Sequence, residues 1–196
     1  SPVRATLTGI RNLFKAQDRI DPLEPSDRLD GKRVLITGSS SGLGLASAKE
    51  LARLGAAVVM AVRSGIPEKG EEVKRASGSS KVFMENVDLS DFDSIDEFVS
   101  RIEKTYGHFD IVVCNAAVVA GKARKTKAGL DEMFMVNYLA KFYLIRSMLD
   151  KGLLRAGDDT LPRIVFVDSE SHRDPKEFEW DKFGRFESYT MGKTVQ

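Results

Sequence analysis

Cysteine is almost absent from this chain: Cys114 stands alone. An internal disulfide is therefore excluded, and a lone thiol fits a reducing compartment. Histidine is nearly as scarce. His108 and His172 are the only two, and neither joins a cysteine or carboxylate cluster at ligand spacing. No structural or catalytic metal is expected. Net charge is close to nil, because 30 lysines and arginines face 29 aspartates and glutamates. Nothing in that balance points to nucleic acid as a partner. No apolar run approaches the length of a membrane span. Internal repeats and low-complexity segments are missing too. What is present is a length of 196 residues, enough for one good-sized domain with a substantial core and short for two.

From Arg33 onward, apolar and β-branched runs alternate with helical patterns. The runs Val34–Ile36, Ala57–Val62, Val82–Met84, Ile111–Val113 and Ile164–Val167 suit strands buried on both faces. Helical patterns lie around Ser41–Leu54, Pro67–Ala76, Asp91–Thr105 and Ala128–Leu149. The third opens on Ser90-Asp91, an N-cap with acidic residues in its first turn. The alternation predicts an α/β fold: a doubly wound, mostly parallel, Rossmann-like sheet with helices on both faces.

Residues 1–31 read differently. Val3, Leu7, Ile10 and Phe14 fall on one helical face, while Arg4, Arg11, Lys15 and Arg19 supply positive charge. We expect this segment to pack on the domain's own side. Peripheral membrane contact through residues 3–19, or docking on a partner, is the alternative. Either way the expected location is the cytoplasm or the cytosolic side of a membrane. Pro22, Pro25 and Asp30-Gly31 form a linker, which divides the chain into 1–31 and a domain of 32–196.

The stretch Thr37-Gly38-Ser39-Ser40-Ser41-Gly42-Leu43-Gly44 lies between the first strand and the first helix. Strand, glycine turn and helix, in that order, suit a dinucleotide pyrophosphate. Glycine lets the backbone approach the phosphates, and free amides at the helix start supply donors. Gly38, Ser40, Ser41, Leu43 and Gly44 are the candidate contacts. Dinucleotide folds usually place an acidic residue at the end of the second strand to hold the ribose hydroxyls. Here the strand ends Ala61-Val62-Arg63-Ser64. A guanidinium at Arg63 can instead meet a 2′-phosphate in bidentate fashion, which favours NADP(H) over NAD. A solvated arginine at a strand end is the plainer reading.

The spacing Thr-Gly-x-x-x-Gly-x-Gly resembles that of the short-chain dehydrogenase/reductase family, and further motifs follow in that family's order. Asn86-Val87-Asp88-Leu89 resembles its Asp-Leu pair and implies that Asp88 and Leu89 face the adenine; a helix-capping aspartate is the plainer role. Cys114-Asn115-Ala116-Ala117 resembles Asn-Asn-Ala-Gly, departing from it at Cys114 and Ala117. It implies that Asn115 braces the sheet centre while Ala116 admits the nicotinamide side of the cofactor. The run from Thr126 to Phe142, with Gly129-Leu130-Asp131 and Val136-Asn137-Tyr138-Leu139, resembles the branch of retinol dehydrogenases, protochlorophyllide reductases and WW-domain oxidoreductases. Asn137 is thereby implied to hold a water that relays protons to the catalytic lysine; a buried structural asparagine is the alternative.

The fifth strand and its exit, Arg163 to Arg173, resemble the branch's Val-Ser-Ser-x-x-His, with Asp168 in place of the first serine. Ser169 aligns with the catalytic serine, and Ser171 is its competitor. Tyr189-Thr190-Met191-Gly192-Lys193 fits Tyr-x-x-x-Lys, with glycine before the lysine where the family has serine. Residues four apart share a helical face, so Lys193 can lower the pKa of a phenol that ordinarily titrates near 10. A second such pair beyond Gln196 is the alternative, because the chain is expected to stop before the family's last strands and its substrate-binding segment.

The resemblance implies an NADP-dependent oxidoreductase that interconverts a carbonyl and an alcohol on a small-molecule substrate. The alternative is a low-turnover, NADP-binding regulatory or interaction protein of the same fold. Homo-oligomerisation is also expected. The helical stretch from Ala128 to Leu149 carries Met133, Phe134, Leu139, Phe142, Tyr143, Ile145, Met148 and Leu149, more than one core-facing stripe requires.

Overall fold

The computed structural model of the protein describes residues 23–24, 26–156 and 161–169. The strands β1 (Arg33–Thr37), β2 (Ala57–Val62), β3 (Val82–Asn86), β4 (Ile111–Cys114) and β5 (Arg163–Phe166) form one sheet. Their order is β3-β2-β1-β4-β5, and every neighbouring pair is parallel. Helices α1 (Gly42–Arg53), α2 (Glu68–Ser77) and α3 (Phe92–Tyr106) connect the first four strands. After β4, a short α4 (Glu132–Phe134) runs through a π turn (Met135–Leu139) into α5 (Ala140–Asp150).

Strand side chains alternate between the two faces, and helices cover both faces of the central strands; β5, expected to be buried on both faces, is exposed along its length among the described residues. On one face Val34, Ile36, Val58 and Met60 pack with Ala48 and Ala52 of α1 and Val73 of α2. On the other, Leu35, Val59 and Val112 meet Ile95, Phe98 and Ile102 of α3 and Leu144 and Met148 of α5. This is the doubly wound, three-layer arrangement that the alternating pattern predicts.

One expected element needs correction. The helix anticipated from Ala128 begins only at Glu132, because Gly129 takes a left-handed φ of 79° and Lys125 pairs with Asp131 in an antiparallel bridge. Asp131 then caps the helix by accepting the Phe134 amide at 3.0 Å. The π turn interrupts the same stretch at Asn137, and such turns recur at functional sites.

At the N-terminal edge of the sheet, Asp110 accepts the Arg33 amide at 2.8 Å and the Lys32 ammonium at 3.0 Å. The Arg33 guanidinium donates to the carbonyls of Tyr106 and, at 2.9 Å, His108. The Leu29 amide donates to the Leu54 carbonyl at 2.8 Å, and its side chain packs on the core. The amphipathic segment before Pro22, Ser171, His172, Tyr189 and Lys193 lie outside the described residues. Among the described residues, no helix is long and apolar enough to cross a membrane.

Candidate active site

The chain reverses its direction of winding between β1 and β4, so the loops leaving those strands diverge and open a crevice at their carboxyl ends. The crevice measures about 430 Å³. Gly38, Ser40, Ser41, Leu43, Gly44, Arg63, Asp88, Leu89, Asn115 and Ala116 all line it. Every residue assigned from the sequence to cofactor contact thus faces one space, although the residues come from four separate loops.

The glycine turn is shaped by close approach. A Cβ on Gly38 would stand 2.7 Å from the Ala116 Cα, and one on Gly44 would stand 2.4 Å from Asn115 Nδ2 and 2.5 Å from the Gly38 carbonyl. Those two positions therefore draw the turn and α1 against the loop after β4. Gly42 differs: it has a φ of 51°, and a Cβ there would meet no protein atom within 4 Å. Ser41 caps α1 in an extended conformation, but its side chain accepts no hydrogen bond from the helix. The first amides of a helix have no acceptor within it, so those of α1 are donors for an anion. Glycine where a side chain would collide, and uncapped amides at the crevice, fit the pyrophosphate of a dinucleotide.

Thr37 and Asn115 lock the floor. The Thr37 hydroxyl accepts the amides of Asn115 and Ala116, each at 3.1 Å. Asn115 Nδ2 donates to the carbonyls of Thr37 at 3.0 Å and Gly38 at 3.1 Å. This ties the two strands that flank the crevice, in the bracing position implied for Asn115. The part played by Thr37 was not anticipated. Its signal was a hydroxyl residue at the last position of a central strand.

Arg63 is exposed, and its guanidinium has no ion-pair or hydrogen-bond partner among the described residues; its carbonyl accepts Asn86 Nδ2 at 3.1 Å. Val62 beside it is buried. Asp88 holds a local turn: its Oδ1 accepts the Ser90 amide at 2.9 Å and hydroxyl at 2.7 Å. The helix-capping role weighed for Asp88 belongs instead to Asp91, whose side chain accepts the Asp93 amide.

Asn137 pairs its side-chain amide with the Val118 backbone, accepting from the Val118 amide at 2.8 Å and donating to its carbonyl at 2.9 Å. The side chain is thus anchored to the crevice wall. Lys141, also unanticipated, is buried yet charged. Its ammonium donates to the Val167 carbonyl at 3.0 Å and lies 3.6 Å from Asp168 Oδ1. Burial pushes the neighbouring Cys114 thiol up to about 11, although the Lys141 charge opposes the shift, so Cys114 is a neutral core thiol at physiological pH. Ser169 follows directly on the Lys141-held segment at the exit of β5, while its implied partners Tyr189 and Lys193 lie outside the described residues.

Comparison with known proteins agrees with this geometry. The family model for short chain dehydrogenases matches residues 32–179. WW domain-containing oxidoreductase from Gallus gallus is 35% identical over 74% of the chain and 34% of its own length. Human retinol dehydrogenase 11 is 35% identical over 74% of the chain and 45% of its own length. Protochlorophyllide reductase from Avena sativa is 37% identical over 72% and 46%. Among solved structures, the Pseudomonas aeruginosa RhlG/NADP active-site complex superposes with a TM-score of 0.63 at 25% identity, covering 75% of this chain and 58% of that one. A Serratia marcescens short-chain dehydrogenase/reductase mutant gives 0.59 at 27%, covering 74% and 58%. The chain belongs to the short-chain dehydrogenase family, whose members named here are oxidoreductases. It spans between a third and a half of the length of those three curated relatives.

Proposed function

We propose that the protein is an NADP(H)-dependent oxidoreductase that interconverts a carbonyl and an alcohol on a small molecule. The observation that carries this reading is the convergence of the uncapped start of α1, the Arg63 guanidinium (unpaired among the described residues), and Asp88 and Asn115 on one crevice at the point where the sheet reverses. The α1 amides take the pyrophosphate, Arg63 takes the 2′-phosphate, and Asp88, whose Oδ2 is not used in the local turn, takes the adenine amine. A bound nicotinamide supplies or accepts the hydride. Ser169 donates a hydrogen bond to the substrate oxygen and orients it. Tyr189 delivers the proton to that oxygen in reduction and removes it in oxidation, and Lys193 holds its phenol in a range where both directions run. Asn137, anchored to Val118, supports the proton relay to Lys193 by holding a water.

The test is turnover in the full-length protein. NADPH oxidation is followed over a panel of aldehydes, ketones and steroids, with Tyr189→Phe as the paired variant. Positioned proton transfer contributes roughly 10²–10⁴-fold, so the variant is expected to lose at least that much rate with NADPH affinity nearly intact. A Tyr189→Phe variant that turns over normally moves the catalytic tyrosine elsewhere. Tight NADPH binding with no turnover on any substrate favours the regulatory alternative.

We also propose that two copies pair along α5. Phe142 is 65% exposed, Leu149 48% and, in the π turn that leads into α5, Tyr138 60%, which leaves an apolar ridge that a second copy of the same ridge can cover. Light scattering of the full-length protein at micromolar concentration is expected to give a dimer mass or larger, and a monomer there refutes the pairing.

A further inference from the structure

Lysine is rarely buried, because an ammonium removed from water is costly unless it is paired and hydrogen-bonded. Lys141 is only 8% exposed. Both partners the structure gives it lie on one short segment: the Val167 carbonyl at 3.0 Å and the Asp168 carboxylate at 3.6 Å. The Val167 amide in turn donates to the Cys114 carbonyl at 3.2 Å. Both backbone polar groups of Val167 are therefore held, one by β4 and one by α5. The Val167 carbonyl belongs to the same peptide plane as the Asp168 amide, so fixing it sets the direction in which the chain leaves β5. The next residue but one is Ser169.

Lys141 lies four residues after Asn137, so the two share a face of the helical segment. Asn137 grips the loop after β4 through both backbone groups of Val118, and Lys141 grips the loop after β5. One helical face thus holds the exits of both strands. Asp168 is 79% exposed at its side chain, and its contact is the longer of the two, so the carbonyl is the principal anchor and the carboxylate a supplement.

We infer that Lys141 is a positioning residue for the reaction: its ammonium clamps the Val167–Asp168 peptide and thereby holds the Ser169 hydroxyl where the substrate oxygen must sit. The inference rests on the reading of Ser169 as the substrate-orienting hydroxyl. Lys141 is not among the residues that line the crevice. A misplacement of about 1 Å in a reacting group can cost on the order of 10²-fold in rate, which is the effect available to such a clamp.

The test compares Lys141→Met, Lys141→Arg, Ser169→Ala and the double variant Lys141→Met/Ser169→Ala in full-length protein, measuring kcat, KM and NADPH affinity. Lys141→Met is expected to lower kcat by roughly 10–100-fold while KM and NADPH affinity stay within about twofold. Lys141→Arg, which keeps a charged donor, should recover most of the rate. The double variant should be no slower than Ser169→Ala, because the lysine acts through the serine. A Lys141→Met enzyme as fast as wild type, a folded Lys141→Arg as slow as Lys141→Met, or additive losses in the double variant would each overturn the inference. Ser169→Ala at the wild-type rate would instead remove the underlying reading of Ser169. Amide hydrogen exchange decides the clamp without any substrate: Lys141→Met should speed exchange at the Val167 amide, which is bonded to the Cys114 carbonyl, and leave β1 and β2 unchanged, whereas unaltered exchange at Val167 overturns it. Should Lys141→Met fail to fold, Lys141→Gln, shorter and uncharged, is expected to show the same loss, and wild-type kcat in it overturns the inference equally.

Discussion

At the N-terminal edge of the sheet, Asp110 satisfies the Arg33 amide and the Lys32 ammonium, and Arg33 satisfies the carbonyls of Tyr106, the last residue of α3, and His108 just beyond it. At the opposite edge, the start of α1 has no side-chain cap, and the Arg63 guanidinium has no partner among the described residues. The same strands supply both edges. Buried polar groups that find partners within the protein hold a fold together, whereas donors and cations left open at a crevice await partners from outside. The first edge therefore predicts effects on stability alone. The second predicts effects on binding and rate, and variants can test whether the two separate as the structure implies.

The largest expected effect is on rate. Ser169→Ala in the full-length enzyme should lower kcat by about 10²-fold, the typical cost of losing one donor to a reacting oxygen. Ser171→Ala should change it by less than about threefold. Steady-state kinetics on a substrate found in the panel makes the comparison, and equal losses would reassign the serine. Next in size is Gly44→Ala. The new methyl would stand 2.4 Å from Asn115 Nδ2, so α1 must move off the sheet. Overpacking of this kind costs about 1–3 kcal/mol, and here it should weaken NADPH binding as well, because the displaced atoms belong to the crevice. Chemical denaturation and a cofactor titration read the two effects, and a variant that loses stability without losing affinity would break the link between turn packing and binding.

The smallest effect belongs to the other edge. Asp110→Asn should cost about 1 kcal/mol and leave NADPH affinity unchanged. Burial pushes the Asp110 carboxyl up, but the Arg33 amide and the Lys32 ammonium together outweigh it and hold the group below the ordinary carboxylate range. A carboxylate whose pKa is lowered by folding stabilises the protein above its unfolded pKa, about 3.9, and that stabilisation is lost as pH falls through the folded value. The difference in stability between wild type and Asp110→Asn should therefore be constant near neutrality and shrink in acid. A difference that grew on acidification would contradict the assignment.

Much of the fold was legible because the strands of a sheet buried on both faces are continuous apolar runs, and Val34–Ile36 and Ala57–Val62 can hardly be read otherwise. The crevice was legible for a related reason: Gly38, Arg63, Asp88 and Asn115 lie just past strand ends and Gly44 lies in the first turn of the helix after the first strand, positions that follow once the strands are placed. What stayed hidden depends on side chains meeting across sequence. Nothing local tells that Asn137 will spend its amide on Val118, or that Lys141, in an amphipathic stretch where lysine ordinarily faces water, turns inward to the carbonyl of Val167. The helix start was misplaced because Ala128-Gly129-Leu130 has a helical apolar rhythm, whereas the bridge between Lys125 and Asp131 that displaces it is a tertiary contact.

The contrast between a satisfied edge and an open one stands or falls on whether the open edge binds an NADP-type ligand. Fluorescence titration of NADPH and NADH into the wild type and Arg63→Ala asks this directly. A charge-assisted pair contributes about 1.5–3 kcal/mol, and the exposure of Arg63 places it at the low end, so NADPH should bind about tenfold more tightly than NADH and the variant should lose most of that preference. Equal affinities in the wild type, or a preference that survives the loss of Arg63, would contradict the account.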